Sequence, residues 1–569
     1  MRHRQHFRGV CARRTLPFVC TLAFVTATQA AAEDAGPGNA GPGARNFPGE
    51  KSIGIFIGNE LTADGSTILA GFGHEPSSHW IEIVPRQEHP EGSTTRVGVT
   101  EDAWIPGELT DIPQAATTYK YITSNYSEYA GFPPPLTNGG LNEHGVAARD
   151  IWSPSRAELV EMSEEAAETQ PQTGPNYSDL ARAAMERATT AREAVEIIGD
   201  LIDEHGFSTY GGNSHLFADE NEGWVFINYA GGEGLWAAER IGPDEVRVSY
   251  PGYIHEFPAD FEGSDDYMAS DNLVEFAREQ GWWDGGETLN LQDVLGQPFP
   301  ADDPSATVPA FYSAARNPPE RERELEDMAP IRLEDMLAYV RDPRWADDRA
   351  GYGQVAHIRP DVHPELQTLW VAVTGAITTP FVPIPIGTES VPPEFTQHRY
   401  MTKDADSHFL DADYAPVEAT RYATRTFKRL LYHTCERPEQ FLHPVTGEIE
   451  LFEQDLLDER EGFERRALES FDAGDNGEAR DLITRNVERR LLQALDLGED
   501  LVSVVERRTR QEHGIRMPEG EDAEGETTPA TSQHMARPSL AGRIHCYDEA
   551  LDEYPREHGQ YRDSADLLR

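Results

Sequence analysis

The stretch EKSIGIFIGNELTADGST, residues 50–67, decides how the chain is read. SIGIFIG (52–58) is a short apolar run that begins on a hydroxyl residue. TADG reads as a turn, and STILAGFG (66–73) returns as a second run. HWIEIVP (79–85) then alternates apolar and polar residues, so the segment reads as strand, turn, strand, strand. After a long irregular stretch, GGLNEHGVAARDIW (139–152) reads as a turn with a strand. Two helices follow. YSDLARAAMERA (177–188) is expected to be capped by Ser178. TAREAVEIIGDLIDEHG (190–206) opens on a Thr190–Glu193 capping box, aligns Val195, Ile198 and Ile202, and stops at Gly206. NSHLFAD (213–219), EGWVFINYA (222–230), LWAAERI (235–241) and EVRVSY (245–250) read as an antiparallel meander separated by ENE, GGEG and GPD turns. QVAHIRP (354–360) and LQTLWVAVT (366–374) add two strands after the helical and irregular stretch 268–345. From about 405 the texture is helical and charged, with amphipathic runs at 419–436 and 479–508 and a loosely attached loop at 514–541. Strands, a helix pair, strands again and then helices, with several antiparallel links, make an α+β fold rather than a doubly wound parallel sheet.

The charge balance narrows function by exclusion. With 49 basic and 100 acidic residues among 569, the net charge is −51, and only Lys51, Lys120, Lys403 and Lys428 are lysines. A surface this acidic lacks the basic footprint that nucleic acid requires. Adaptation to high salt, where screening shortens the Debye length, is the plain reading, with a functional acidic surface as the alternative. MRHRQHFRGVCARR (1–14) is basic, TLPFVCTLAFVTA (15–27) is apolar, and small residues follow at Ala30–Ala32. That is the pattern of a secretory signal peptide over 1–32, too short for a membrane span, and it implies an exported, periplasmic or extracellular protein. Its removal takes five arginines and no acids, leaving 44 − 100 = −56. EDAGPGNAGPGARNFPGE (33–50) cannot fill a core, so 33–51 reads as a pro-segment or linker. The main domain is then 52–430, followed by an acidic helical extension over 431–569. Cys11 and Cys20 leave with the leader. Cys435 and Cys546 remain, either paired across a long loop or as two buried thiols.

Several chemistries are absent from the sequence: no G-x-S-x-G elbow and no phosphate-binding glycine loop occur. His74, Glu75 and His79 in HEPSSH have the wrong spacing for a zinc helix, with Pro76 between them. Ser52 stands out instead. A removable leader, a disposable linker and a strand that opens on a hydroxyl residue are what an N-terminal nucleophile needs. Once released, such a serine carries its own general base, an α-amine with a pKa of about 7.7–8.0. A plain strand-edge serine is the other reading.

These residues also resemble a family. Ser52, Gly58 six positions on, and Asp64 in TADGST follow the spacing of the dipeptidase-A/secernin family of N-terminal-nucleophile (Ntn) hydrolases, which begins on a cysteine. GGLNEHGVAARD (139–150), the 211–241 segment and 354–384 with its P-F-V-P resemble later segments of that family, so the likeness runs from about 52 to 430. It implies an αββα four-layer sandwich and a dipeptidase that cleaves small peptides through Ser52 without metal or organic cofactor. By the resemblance, Asn142 is an oxyanion donor or a turn-fixing residue, and Arg349 a fork for the substrate carboxylate or a surface ion pair with Asp347 or Asp348. Asn213 is a further substrate-binding candidate. Gly71 and His74 stand where the family has an arginine and an aspartate; His74 is then a substitute hydrogen-bonding group or a plain loop residue. An acylase acting on a non-peptide amide and a non-catalytic binding protein of the same fold are the alternatives. A homo-oligomer is compatible with the sequence.

Overall fold

A computed structural model of the chain describes residues 52–73, 79–126, 130–249, 253–296, 318–343, 346, 351–396, 419–514, 520–521, 527–528, 546 and 558–568. The leader, the pro-segment and most of the 514–541 loop lie outside these residues. The hairpin β1 (Ile53–Ile57) and β2 (Thr67–Gly73) is followed by β3 (Trp80–Val84). Two small ribbons come next, β4 (Gln87–Glu88) with β7 (Thr117–Thr118) and β5 (Thr94–Val97) with β6 (Thr110–Pro113). The chain continues through β8 (Tyr121–Tyr126), β9 (Leu136–Thr137), β10 (Gly139–Asn142) and β11 (Ala147–Ile151), then α1 (Ala157–Ala167), α2 (Tyr177–Arg187) and α3 (Ala191–His205). Next are β12 (Asn213–Ala218), β13 (Gly223–Asn228), β14 (Trp236–Ile241), β15 (Val246–Ser249), β16 (Phe257–Pro258), β17 (Tyr267–Ala269), α4 (Leu273–Glu279), β18 (Thr288–Leu289) and α5 (Leu291–Val294). The remainder runs α6 (Pro318–Asp327), α7 (Leu333–Val340), β19 (Tyr352–Ile358), β20 (Thr368–Ala372), β21 (Val382–Pro385), α8 (Pro393–Thr396), α9 (Ala423–Cys435), α10 (Pro438–Asp472) and α11 (Asn476–His513). This is an α+β chain.

Two antiparallel sheets carry it. The smaller has the order β15-β1-β2-β19-β20-β21, the larger β17-β14-β13-β12-β11-β10-β8-β3, with β9 beside β8. The alternation of side chains along each strand decides what meets what. Phe56 and Leu69 of the smaller sheet meet Leu141, Leu216, Val225 and Ile227 of the larger one in a shared core. On the far face of the larger sheet, Ala148, Phe217, Trp224 and Phe226 pack against Leu180, Ala184, Val195 and Ile198 of α2 and α3. On the far face of the smaller sheet, Ile55, Ala70 and Val355 pack against Met336, Leu337 and Val340 of α7.

Three local details differ from the sequence reading. The cap of α2 is Asn176, not Ser178: the Asn176 carboxamide accepts from the Ser178 and Asp179 N–H groups, and Asp179 closes the box. Ser178 Oγ instead accepts the Thr137 N–H at 2.8 Å. The meander ends at β14, whose outer edge pairs with β17; β15 crosses to the smaller sheet and pairs with β1. The crossing is fixed where Gly58 and Glu60 donate their N–H groups to Glu245 and Pro243 carbonyls, at 3.0 and 2.9 Å. The GGLNEHGVAARDIW segment is two strands, a hairpin rather than a turn with one. The box at α3 forms as expected, with Thr190 Oγ1 accepting from Glu193 N–H and Gly206 at φ 82° ending the helix.

Residue 430 is no boundary. It lies inside α9, and Phe427, Val487, Leu491 and Leu495 of the C-terminal helices are continuous with the inter-sheet core through Ile384 and Ile386. Cys435 and Cys546 form a disulfide, which resolves the two alternatives left by the sequence.

Candidate functional site

Ser52 immediately precedes β1 and is 5% exposed. A Cβ placed on Gly54 would touch Ile151 and Leu216, so that position faces the larger sheet, and Phe56 does the same. Strand alternation turns Ser52 to the same side. Beneath it on the larger sheet lie Ser214, paired across from Ile151, and Ser153, their hydroxyls 2.7 Å apart.

The register of the smaller sheet fixes what stands beside Ser52. Ile53 pairs with Phe72, so continuing the ladder by one residue sets Ser52 opposite Gly73; Tyr352 pairs with Gly73 on the other side. With strands about 4.8 Å apart, Ser52 and Tyr352 are separated by about 10 Å, and Gly73 is the residue of β2 between them. Arg149 reaches down from β11 of the facing sheet. It is fully buried, lies 4.9 Å over the Tyr352 ring and donates an N–H to the Tyr352 hydroxyl. Gln354, the next inward residue of β19, donates to the Ala148 carbonyl at 3.1 Å and ties the two sheets together at this level.

Aromatic rings extend the site sideways. His79 lies 4.9 Å from Tyr352 and 5.3 Å from Tyr126, centroid to centroid. The Tyr126 hydroxyl bonds that of Tyr177, whose ring is 4.9 Å from Tyr210, and the Tyr210 hydroxyl donates to Asn213 Oδ1 at 2.8 Å. Asn213 shares the helix-bearing face of the larger sheet with His215, and its amide lies 3.2 Å from His215 Nε2. Burial pushes the His215 imidazole down to about 3, so it is neutral at any physiological pH.

Asn142 fixes its turn. Its amide protons go to the Met185 and Ala188 carbonyls at 3.1 and 2.8 Å, and Oδ1 accepts the His144 and Val146 N–H groups, each at 3.0 Å. Both donors are spent on α2, so no proton remains for an oxyanion. This corrects the catalytic assignment in favour of the turn-fixing one. His74 and Arg349, with Asp347 and Asp348, lie outside the described residues.

A second polar group sits at the other end of β2, about 20 Å from Ser52 along seven residues of strand. Asp64 accepts Ser66 Oγ at 2.6 Å and pairs with His357 Nε2 at 2.8 Å. Partial burial works against the charge, but the His357 and Ser66 hydrogen bonds outweigh it and hold the Asp64 carboxyl well below the usual range. The aspartate is the middle member and the serine donates to it directly, so no base is aimed at the hydroxyl. The D-G-S motif therefore locks a turn. Among the described residues, no three His, Cys, Asp or Glu side chains converge as metal ligands, and no helix is long and apolar enough to cross a membrane.

Reading the sequence missed Arg149 and Tyr352, and weighed His79 only as a zinc ligand. For Arg149 the signal was present: in AARDI the inward positions of the strand are Ala147, Arg149 and Ile151, which places an arginine between two core residues.

The sequence signature of Peptidase family C69 matches residues 53–332, just under half of the chain. A probable dipeptidase of Salmonella dublin is 26% identical over 236 residues, covering 40% of this chain and 49% of the relative. The chain thus spans about half the length of that curated relative.

Proposed function

We propose that this protein is a dipeptidase-type amidohydrolase with an Ntn architecture, in which Ser52 is the nucleophile, released as an N-terminal residue by cleavage of the Lys51–Ser52 bond. The observation that carries the reading is the position of Ser52. It precedes the central hairpin and faces the inter-sheet space beside Gly73, Tyr352 and Arg149, immediately before the stretch that matches a peptidase family. The facing sheets with helices on both outer sides accord with the four-layer αββα sandwich that this chemistry uses. Ser52 Oγ attacks the scissile carbonyl while its α-amine takes the hydroxyl proton. Collapse of the tetrahedral intermediate returns that proton to the leaving amine, and water then hydrolyses the seryl ester. Because the Asn142 amide is committed to α2, the oxyanion falls to backbone N–H groups. Serine is less acidic than the cysteine of the family, so the reaction depends more strongly on the free α-amine, and activity should fall below about pH 7.5 as that amine protonates.

The basic-then-apolar leader and the Cys435–Cys546 disulfide both favour an exported protein, since such bonds persist in oxidising compartments. Intact mass and N-terminal sequencing of the exported chain, together with hydrolysis of a dipeptide panel, test the proposal. A mature chain starting at Ser52, active as wild type and inactive as Ser52→Ala, is expected. A mature chain starting near residue 33, or a Ser52→Ala protein that keeps its activity, refutes it.

A further inference from the structure

We propose that residues 558–568 form a redox-controlled latch: the Cys435–Cys546 disulfide holds them on two buried carboxylates of α10, and in its absence they lift off and loosen α7 on the back of the smaller sheet. The inference concerns how the C-terminal end closes the fold, so it stands or falls apart from the role of Ser52.

Side chains of a single helix dock the tail. Glu450 of α10 accepts the Tyr561 N–H at 2.9 Å, and Glu453 pairs with His558 Nε2 at 3.0 Å. Arg562 donates to Gln454 Oε1 at 3.1 Å, and the Tyr561 ring stacks on His443 with centroids 4.3 Å apart. Among the described residues the tail holds one short 3-10 turn, Arg562–Ser564, and joins neither large sheet. It is therefore held by polar bonds and by fit. The fit is closest at Gly447, where a Cβ would stand 2.2 Å from the Tyr561 carbonyl oxygen. Glu453 carries the effect inward. It is fully buried, and its Oε1 also accepts the Phe381 N–H at 2.7 Å and an N–H of the buried Arg341. Arg341 directly follows α7, and Phe381 lies in the P-F-V-P segment that enters β21, so one carboxylate joins the tail to α7, α10 and β21. When His558 leaves, water reaches the Arg341–Glu453 pair and weakens its attraction. Met336, Leu337 and Val340 of α7 are what cover Ile55, Ala70 and Val355 of the smaller sheet. The disulfide sets how strongly the tail docks. Cys435 ends α9 just before α10, so with the bond intact 12 residues (546 to 558) tether the tail, against 45 (513 to 558) from the end of α11 without it. Loop closure scales as the −3/2 power of length, so losing the bond lowers the effective concentration of the tail at α10 by about sevenfold. Opening needs a dithiol reductant: it attacks one sulfur, forms a mixed disulfide and leaves as its own cyclic disulfide, and Cys435 and Cys546 each gain one electron and one proton. Both sulfurs are buried, so the reductant reaches them once the tail has lifted.

Hydrogen exchange read by mass spectrometry, well below the melting temperature, tests the latch on the full chain. Four samples are compared: oxidised wild type, wild type reduced with dithiothreitol, Cys435→Ser/Cys546→Ser, and oxidised Gly447→Ala. Exchange over 558–568 should be slow in oxidised wild type and about sevenfold faster in the reduced and double-serine proteins, because the opening equilibrium shifts by the tether factor. The α7 peptide 333–340 should speed up in the same samples, while α2 and α3 on the far side of the molecule keep their protection. Gly447→Ala separates the latch from its tether: the added methyl group pushes against the tail while α10 gains a better helix former, so 558–568 and α7 should exchange faster with the disulfide intact by mass. Equal exchange of 558–568 with and without the disulfide overturns the proposal. So does faster exchange spread evenly over the whole chain, which would make the bond a global staple, a tail that stays protected in Gly447→Ala, or a released tail with α7 unchanged.

Discussion

Replacing His215 with glutamine should flatten the acid limb of the stability curve. His215 is fully buried in β12, stacked on Phe217 with ring centroids 5.7 Å apart and set against Phe226. Burial lowers its pKa from the ordinary 6.5 to about 3. A base whose folded pKa lies below its unfolded one is neutral in the native state and picks up a proton on unfolding, so its contribution is complete above the unfolded value and is lost as pH falls through the interval. Over the window from 6.5 to 3 the loss is about 2 kcal/mol at pH 5 and about 3 kcal/mol at pH 4. Asp150 stands directly across the ladder from His215, so wild type and the glutamine variant should be followed over the same pH range. Urea denaturation from pH 7.5 to 4, followed by tryptophan fluorescence, measures the effect. The glutamine variant is expected to start somewhat less stable, because the histidine packing is lost, and then to lose about 2 kcal/mol less than wild type on going to pH 5. Parallel curves for the two proteins would refute the argument that burial holds His215 neutral.

Three further outcomes follow from the packing. Asn142→Ala leaves two carbonyls and two N–H groups without their partner, so stability should fall by about 2–4 kcal/mol in urea titrations while kcat of the folded protein stays within a few-fold. Reducing the Cys435–Cys546 bond, whose partners are 111 residues apart, should cost up to about 5 kcal/mol by the loop-entropy argument, seen as a drop in Tm on adding a reductant and absent in a Cys435→Ser protein. Gly71→Ala should destabilise by more than about 2 kcal/mol, since the residue has φ 146° and a Cβ there would sit 1.9 Å from the Ile53 carbonyl oxygen; a thermal melt checks this.

Features governed by local chemistry were legible in the sequence. The β1–β2 hairpin shows in its apolar runs and TADG turn, and α3 in its cap, its apolar stripe and Gly206. Misreadings occurred wherever a distant partner decides. GPD looks like a hairpin turn, yet β15 leaves its neighbour because Gly58 and Glu60 capture carbonyls of that turn and β1 has an open edge. Ser178 looks like a cap, yet Asn176 two residues earlier takes that role while Ser178 serves the backbone of β9. Asn142 lies in a segment that resembles a catalytic one, and only the nearness of the α2 C-terminus reveals where its amide protons go. The ribbons β4–β7 carry too few apolar residues to stand out from an irregular stretch.

The departure at Gly71 gains a different meaning from its backbone. Beside the family that the sequence resembles, an arginine is simply missing from β2. The geometry goes further: at φ 146°, with the Ile53 carbonyl against the absent Cβ, no side chain of any kind fits at this position in the ladder. The strand is therefore built around the glycine, and restoring an arginine there would break the β1–β2 register that holds Ser52. A guanidinium still reaches the same level of the inter-sheet space, from β11 on the opposite side, and it is Arg149 on Tyr352. At this level the buried guanidinium is thus supplied by β11 of the larger sheet and not by β2.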